Sequence, residues 1–339
     1  MKKKLLFVNL VFICNILLSC KNTDSNIDLS HIKVETHYYP FYQDFSKLNP
    51  QNLKQGLIQL KAKYPDFLDF YLDTLVGLNI NSDYSMENKG LVSFLTYKDY
   101  RNLFDTVNLV FPNTNLLDQN LDVLLKSIKY YDSTFYIPKN VYYFVSGLNK
   151  FTAVIQNETN MGIGLDMFLG AGFQPYNAIG IPEYALIKFT KEQIPIWVAT
   201  AIYEDKFPFT TEGKTLLEMM IEKGKELYFI EKTLPELSEN LKFGFRDNQM
   251  KWVKENEVAI YNFFLQNNLL YEKSHQKIMR YIIDGPTTPG FPENSPGNLG
   301  SYIGLRMVQE FAKKSKLPLK EILKENDAQK ILANANYKP

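Results

Sequence analysis

The chain has 339 residues, with 38 Lys and Arg balanced against 37 Asp and Glu, so its net charge of +1 supplies no basic field for a nucleic acid. Its only cysteines, Cys14 and Cys20, stand within the first 20 residues, which excludes an internal disulfide from the remainder and leaves packing to hold it. Hydrophobic residues at 45% are ordinary for a globular chain, whereas aromatic residues at 14%, with 22 Tyr and 24 Phe, are abundant and predict an aromatic core.

Lys2, Lys3 and Lys4 open the chain, and Leu5–Leu18 is apolar except for Asn9 and Asn15. A basic start before an apolar run too short to span a bilayer is an export signal rather than a membrane helix. The run ends Leu17-Leu18-Ser19-Cys20, which looks like a bacterial lipoprotein cleavage site. It predicts a signal over residues 1–19 and acyl chains, palmitate among them, on Cys20; the alternative is an ordinary secretory signal with an incidental cysteine. Residues 20–30 are polar and read as a lipid-anchored tether. No later stretch approaches the ~18 apolar residues needed to cross a bilayer.

His31–Tyr38 alternates polar and apolar residues and reads as a strand. Leu53, Leu57, Leu60 and Tyr64 predict a helix over Asn52–Tyr64, stopped by Pro65 and restarted over Asp66–Leu75. Further helices fit Thr96–Val110 and Leu116–Tyr131. The period then changes: Val141–Ser146, Thr152–Gln156 and Met161–Leu169 predict three strands, with turns at Gly147 and Asn157–Asn160. Thr190 and Gln193 have the spacing of a capping box. Thr215–Glu231 carries an apolar stripe, Trp252–Gln266 and Ser301–Lys314 read as helices, and a short helix starts at Leu319. Asp284–Gly300, rich in Pro and Gly, is a loop longer than usual connections. Residues 31–339 therefore read as one helix-rich α+β domain, with a small mixed sheet near 141–169 and helices over 190–339.

Few residues offer chemistry. The three histidines are His31, His37 and His275, and neither H-E-x-x-H nor G-x-S-x-G occurs. In a strand His31, Lys33, Glu35 and His37 share one face, but six residues separate the imidazoles by about 20 Å, too far for one ion. Gly162, Gly164, Gly170 and Gly172 flank a strand rather than open a helix, so they read as bulges and a tight turn, not a phosphate loop. Glu218, Glu222 and Glu226 stand on one helical line with Lys214, Lys225 and Lys232 near them, which reads as a solvated face. Gly224 inside that helix costs about 1 kcal/mol against Ala, and predicts close approach by another backbone or a ligand.

Gly162–Gly170, Leu216–Phe229, Asn268–Tyr271 and Pro296–Gly304, with the cleavage site at Cys20, resemble the gliding-motility lipoprotein GldB family of the Bacteroidetes. The likeness covers nearly the whole mature chain, most clearly residues 140–339, and rests on the order and spacing of these stretches. It implies an envelope lipoprotein held in the lipid bilayer through acylated Cys20 and facing the periplasm. It also implies a need for the protein in gliding and in the type IX secretion apparatus, with other envelope proteins of those machines as partners. No cofactor is expected.

A more distant likeness is to zinc peptidases of the gluzincin type. Those carry H-E-x-x-H on one helix and, on a later helix, a zinc-binding Glu directly before a Gly. Here Lys223 stands before Gly224, and a common spacing puts Thr200-Ala201-Ile202-Tyr203-Glu204 where H-E-x-x-H would be. The likeness implies a degenerate zincin-like fold in which Thr200, Glu204 and Lys223 mark an emptied site without metal ligands or catalytic residues, and a protein-binding role. Asp284–Gly300 would rim the old cleft, and deleting Pro286–Pro296 is expected to leave the domain folded but uncoupled from its partner. The alternative is an envelope hydrolase, peptidase-like or glycan-acting, using the carboxylates of Asp166, Glu204 and Glu222 as acid and base.

Overall fold

The computed structural model describes residues 27–78 and 89–339. The signal, Cys20 and most of the tether lie outside the described residues. Strand β1 (His37–Tyr39) leads through Pro40 into α1 (Phe41–Ser46), followed by α2 (Leu53–Lys63) and α3 (Leu68–Phe70), which widens into a π turn over Tyr71–Leu75. Next come α4 (Lys89–Thr96), α5 (Lys98–Val110) and α6 (Asn115–Tyr131), then β2 (Asn140–Phe144), β3 (Ala153–Ile155) and β4 (Asn160–Gly164). The rest is helical: α7 (Pro175–Ala178), α8 (Ile194–Lys206), α9 (Leu216–Thr233), α10 (Glu239–Phe243), α11 (Asp247–Glu255), α12 (Glu257–Gln266), α13 (His275–Ile282), α14 (Leu299–Ser315), α15 (Leu319–Lys324) and α16 (Ala328–Ala335).

The four strands form one mixed sheet in the order β1-β2-β4-β3. β2 is parallel to both β1 and β4, and β3 is antiparallel to β4. The helix-rich α+β class expected from the sequence is the class observed. Aromatic rings fill the space between the sheet and the first helices, as the composition predicts. Tyr142 stacks on Phe67 at 4.3 Å and on Tyr39 at 5.0 Å, and Phe41 meets Tyr71 edge-on at 4.7 Å. The wholly buried rings among them, Phe41, Phe67 and Tyr71, each contribute roughly 1.5–3 kcal/mol by leaving water. The buried apolar side chains make one continuous cluster from Phe41 to Tyr337.

Several predicted elements are corrected. The strand over His31–Tyr38 shrinks to β1, because only His37–Tyr39 finds a ladder partner, pairing with Asn140–Tyr142. His31 instead sits in a turn, so the shared histidine face does not form. The strand over Met161–Leu169 ends at Gly164, and Leu165–Met167 turns as a single 3-10 step. Gly162 and Gly164 are not bulges: they lie inside β4, where the bare backbone receives the Phe144 ring. Trp252–Gln266 breaks at Asn256 into α11 and α12. Thr190 makes no cap bond, since Gln193 Nε2 donates to the Leu241 carbonyl (3.0 Å). The capping box forms at α9, where Glu218 N donates to Thr215 Oγ1 (3.3 Å) and Thr215 N donates to Glu218 Oε2 (2.7 Å), a device of about 1 kcal/mol.

The glutamate line on α9 is corrected too. Glu218 is spent in that cap, Glu222 is half-buried, and Glu226 is only 8% exposed. α9 packs against α8 and, most extensively, against α14, so almost no face of it reaches water. At the α9–α14 crossing a Cβ on Gly224 would stand 2.7 Å from Leu305 N, and one on Gly304 would overlap the Met220 carbonyl. Gly224 is therefore the close backbone approach that its place in the sequence predicts.

The Pro/Gly loop is packed rather than free. Thr288 Oγ1 donates to the Pro296 carbonyl (2.9 Å) and accepts from Leu299 N (3.3 Å), while Phe291 packs on Phe263 at 4.6 Å. Thr288 and Ser295 are wholly buried. Removing Pro286–Pro296 would strip these groups from the interior, so the expectation of an intact fold after that deletion is withdrawn.

Candidate functional site

α8, α9, α10 and the N-terminus of α14 surround a cavity of about 330 Å³. The α9–α14 glycine crossing positions it, because Lys223 precedes Gly224 and Ser301 lies one helical turn before Gly304. Trp197, Ile230 and Phe243 supply apolar wall. Trp197 is fixed by its indole N–H, which donates to the Lys188 carbonyl at 3.0 Å.

The three positions that the peptidase likeness singles out do converge here: Thr200, Glu204 and Lys223 all line this cavity. Lys223 Nζ lies 2.6 Å from Glu226 Oε2 and 3.7 Å from Glu204 Oε1, and packs over the Phe209 ring at 4.5 Å. Burial opposes the charge on Lys223, but Glu226 and Glu204 outweigh it and raise its pKa above the ordinary lysine value. Burial pushes the Glu226 carboxyl upward, with Lys223 pulling against it. An ammonium thus stands between two carboxylates, a charge-assisted arrangement stronger than an exposed pair.

The remaining expected carboxylates do not join them. Glu222 lines a separate cavity of about 210 Å³ on the other side of Glu226, where its Oε1 pairs with Lys214. Its Oε2 is buried without a partner. Asp166 lines neither cavity. It is wholly buried, and its Oδ2 accepts from Leu148 N (2.8 Å), Ser146 N and Ser146 Oγ (both 3.0 Å), tying the end of β4 to the turn after β2. Burial raises the Asp166 pKa and these bonds oppose the rise, the position of a structural carboxyl. The acid–base set of Asp166, Glu204 and Glu222 is therefore corrected: they occupy three different environments.

Lys188, Lys242, Asp284 and Asn298 also line the cavity; sequence reasoning missed the two lysines and named the other two only as part of the Asp284–Gly300 loop. Lys188 Nζ pairs with Asp284 Oδ2 at 2.7 Å, and Asp284 and Asn298 bring both ends of the long loop to the cavity. These residues come from segments up to 110 positions apart with no local pattern; only Gly244, the left-handed C-cap of α10 (φ 68°), marks the place where Lys188 lies across the backbone. A larger, more open groove of about 940 Å³ runs beside Lys47, Asn49 and Arg101, but Arg101 is spent on the Ser46 carbonyl (2.9 Å), and among the described residues Asp105 is the one carboxylate lining it. Among the described residues no group of three His, Cys, Asp or Glu is placed to hold a metal ion.

A family model described as gliding motility protein GldB matches residues 22–339. The chain belongs to this family. Membership makes it a lipoprotein of gliding motility, attached to an envelope membrane. No described helix is long and apolar enough to cross a membrane. Neither the curated proteins nor the solved structures searched contain a match.

Proposed function

We propose that this lipoprotein is a non-catalytic binding component of the gliding apparatus, holding partner proteins at the periplasmic face of the membrane that anchors it and supporting the type IX secretion machinery. The carrying observation is Lys223: where a gluzincin would place a zinc-binding carboxylate, this chain has an ammonium ion-paired with Glu226 and Glu204. A metal dication would have to displace that internal cation. On this reading the domain is a zincin-like fold emptied of catalysis, with its old cleft kept as a charged cavity.

Two measurements test the proposal. Purified mature lipoprotein incubated with zinc and unstructured protein substrate is expected to give no cleavage; turnover that follows zinc stoichiometry and disappears with chelator would overturn the non-catalytic reading. A Cys20→Ala strain is expected to release the protein from the membrane fraction and to lose both gliding and type IX secretion, since a multiply acylated cysteine is the only anchor the reading provides. Normal gliding by cells whose Cys20→Ala protein is fully soluble would refute the anchoring role.

A further inference from the structure

Single exposed apolar side chains are ordinary on a protein surface, but three in register on one helix are not. Leu116, Val123 and Tyr130 of α6 are 70%, 56% and 45% exposed. Their seven-residue spacing sets them on one line, about 10 Å apart, along a helix about 25 Å long. Gln119, Asn120 and Lys126 complete this outward line, and none of its residues is a carboxylate. The two acids of α6 are turned aside: Asp118 Oδ1 accepts from the Tyr143 hydroxyl (2.6 Å) and Asp122 Oδ1 from the Tyr38 hydroxyl (2.7 Å). Leu121, Leu124, Leu125 and Ile128, on the inner side, belong to the common core. α12 carries a shorter exposed pair, Val258 and Leu265, with nothing to connect it to the anchor.

The path of the chain connects α6 to that anchor. Lys129 Nζ, next to Tyr130, donates to the Lys33 carbonyl (2.7 Å), and Tyr38 reaches Asp122 two turns earlier. Lys33–Tyr38 therefore runs along α6 from its C-terminal end toward its N-terminus. Lys33 follows Cys20 by 13 residues, at most about 45 Å of extended chain. A turn in which Ile32 N donates to the Leu29 carbonyl (3.1 Å) shortens that reach. A compact domain of this length is about 50 Å across, so a lipid-bound Cys20 holds the α6 side at the bilayer and is too short a leash for the opposite side to face lipid. Lys126 and Lys129 stand at the same end, where lipid phosphates would meet them. Tyrosine suits such a boundary, since its ring is apolar and its hydroxyl polar.

We propose that this face of α6 lies on the bilayer that holds Cys20, with Leu116, Val123 and Tyr130 entering the boundary between headgroups and acyl chains. The acyl chains attach the protein, and the face orients it. No α6 residue lines the 330 Å³ cavity, so the docked face and the charged cavity are separate surfaces. The inference rests on the Cys20 anchor of the proposed function.

Because Cys20 is acylated and Cys14 leaves with the signal, a thiol introduced by Val123→Cys can be labelled alone with a fluorophore. The labelled lipoprotein is reconstituted into vesicles of phosphatidylethanolamine and phosphatidylglycerol that carry a nitroxide near the top of an acyl chain. The nitroxide is expected to quench the Val123→Cys label at least about threefold more strongly than a label at Val258→Cys on α12. Adding Leu116→Asp and Tyr130→Asp should return the quenching to the Val258→Cys level. All four side chains are exposed, so these changes leave the fold intact. Equal quenching at the two sites, or quenching that survives the two aspartates, overturns the proposal. So does a Val123→Cys label shielded from aqueous iodide yet untouched by the nitroxide, which would mean that a second copy or another protein covers the face. Flotation of the same samples separates the two readings. Vesicles that float without the protein would refute the Cys20 anchor and this inference with it; protein that floats with an unquenched Val123→Cys label would remove the docking and leave the anchor standing.

Discussion

Gly304→Ala is expected to destabilise the protein by about 3 kcal/mol or more, the upper end of what overpacking costs. An exposed helical glycine would behave oppositely, since alanine favours a helix by about 1 kcal/mol. The sign reverses because the new methyl would overlap the Met220 carbonyl, and a backbone carbonyl inside a paired helix cannot swing aside as a side chain can. The only relief is to separate α9 from α14, the most extensively packed helix pair in the described residues, and that opens the core they share. Gly224→Ala should do the same from the other side, where the methyl would meet the backbone of Gly304 and Leu305. Gly172→Ala, with open space around the site and an ordinary backbone angle, is the control and should be near neutral. Urea unfolding of the three variants decides the matter: a Gly304→Ala midpoint equal to that of Gly172→Ala would show that the crossing is not tight. Because Lys223 and Ser301 are carried by this crossing, any Gly304→Ala protein that still folds should also lose the shape of the charged cavity.

Asp132→Asn is expected to cost about 2 kcal/mol at neutral pH and to alter the acid limb of the stability profile. Asp132 ends α6 and is 5% exposed, and its carboxylate collects Lys206 (2.6 Å) from α8, Lys320 (3.0 Å) from α15, and the amide (3.0 Å) and hydroxyl (2.8 Å) of Thr134. Lys206 is also placed over the Phe135 ring at 4.2 Å. Removing one partner of a buried pair costs 3–5 kcal/mol when the other charge stays buried. Here Lys206 and Lys320 are partly exposed and can take up water, which lowers the figure. Burial alone would raise the Asp132 pKa, but the two ammonium groups and the Thr134 donors overcome it and hold the carboxyl well below the usual carboxylate range. A depressed folded pKa means that the folded state binds fewer protons than the unfolded one. The stabilisation is therefore complete above the unfolded value of about 3.9 and is lost progressively as pH falls below it. Wild type should lose stability between about pH 4 and pH 2 more steeply than Asp132→Asn, so the gap between the two narrows toward acid. Parallel profiles over that range would rule out Asp132 as the group responsible.

How far these features were legible in the sequence differs between residues. Gly224 announced the helix crossing because glycine inside a strong helical stripe is costly unless something occupies the missing side chain. Its counterpart Gly304 sits in a helix rich in other small residues, so nothing local distinguished it. The glutamates of α9 had the spacing of a solvated face, and local spacing cannot register that α8 and α14 cover the helix from both sides. The capping box at Thr215 was as regular as the one expected at Thr190. What separated them was that Leu241, distant in sequence, offered Gln193 a different acceptor.

By itself the sequence determined the α+β class, the aromatic core, the order of most helices and the family, because each depends on composition, periodicity or the order of short contiguous runs. Only the tertiary structure decided which charges face one another. Lys188 with Asp284, Lys206 with Lys320 around Asp132, and Lys223 between Glu204 and Glu226 bring together side chains from separate elements. Their meeting depends on how helices cross and on the water removed as they do so, and burial gives these charges energies that neither their identity nor their spacing along the chain reveals.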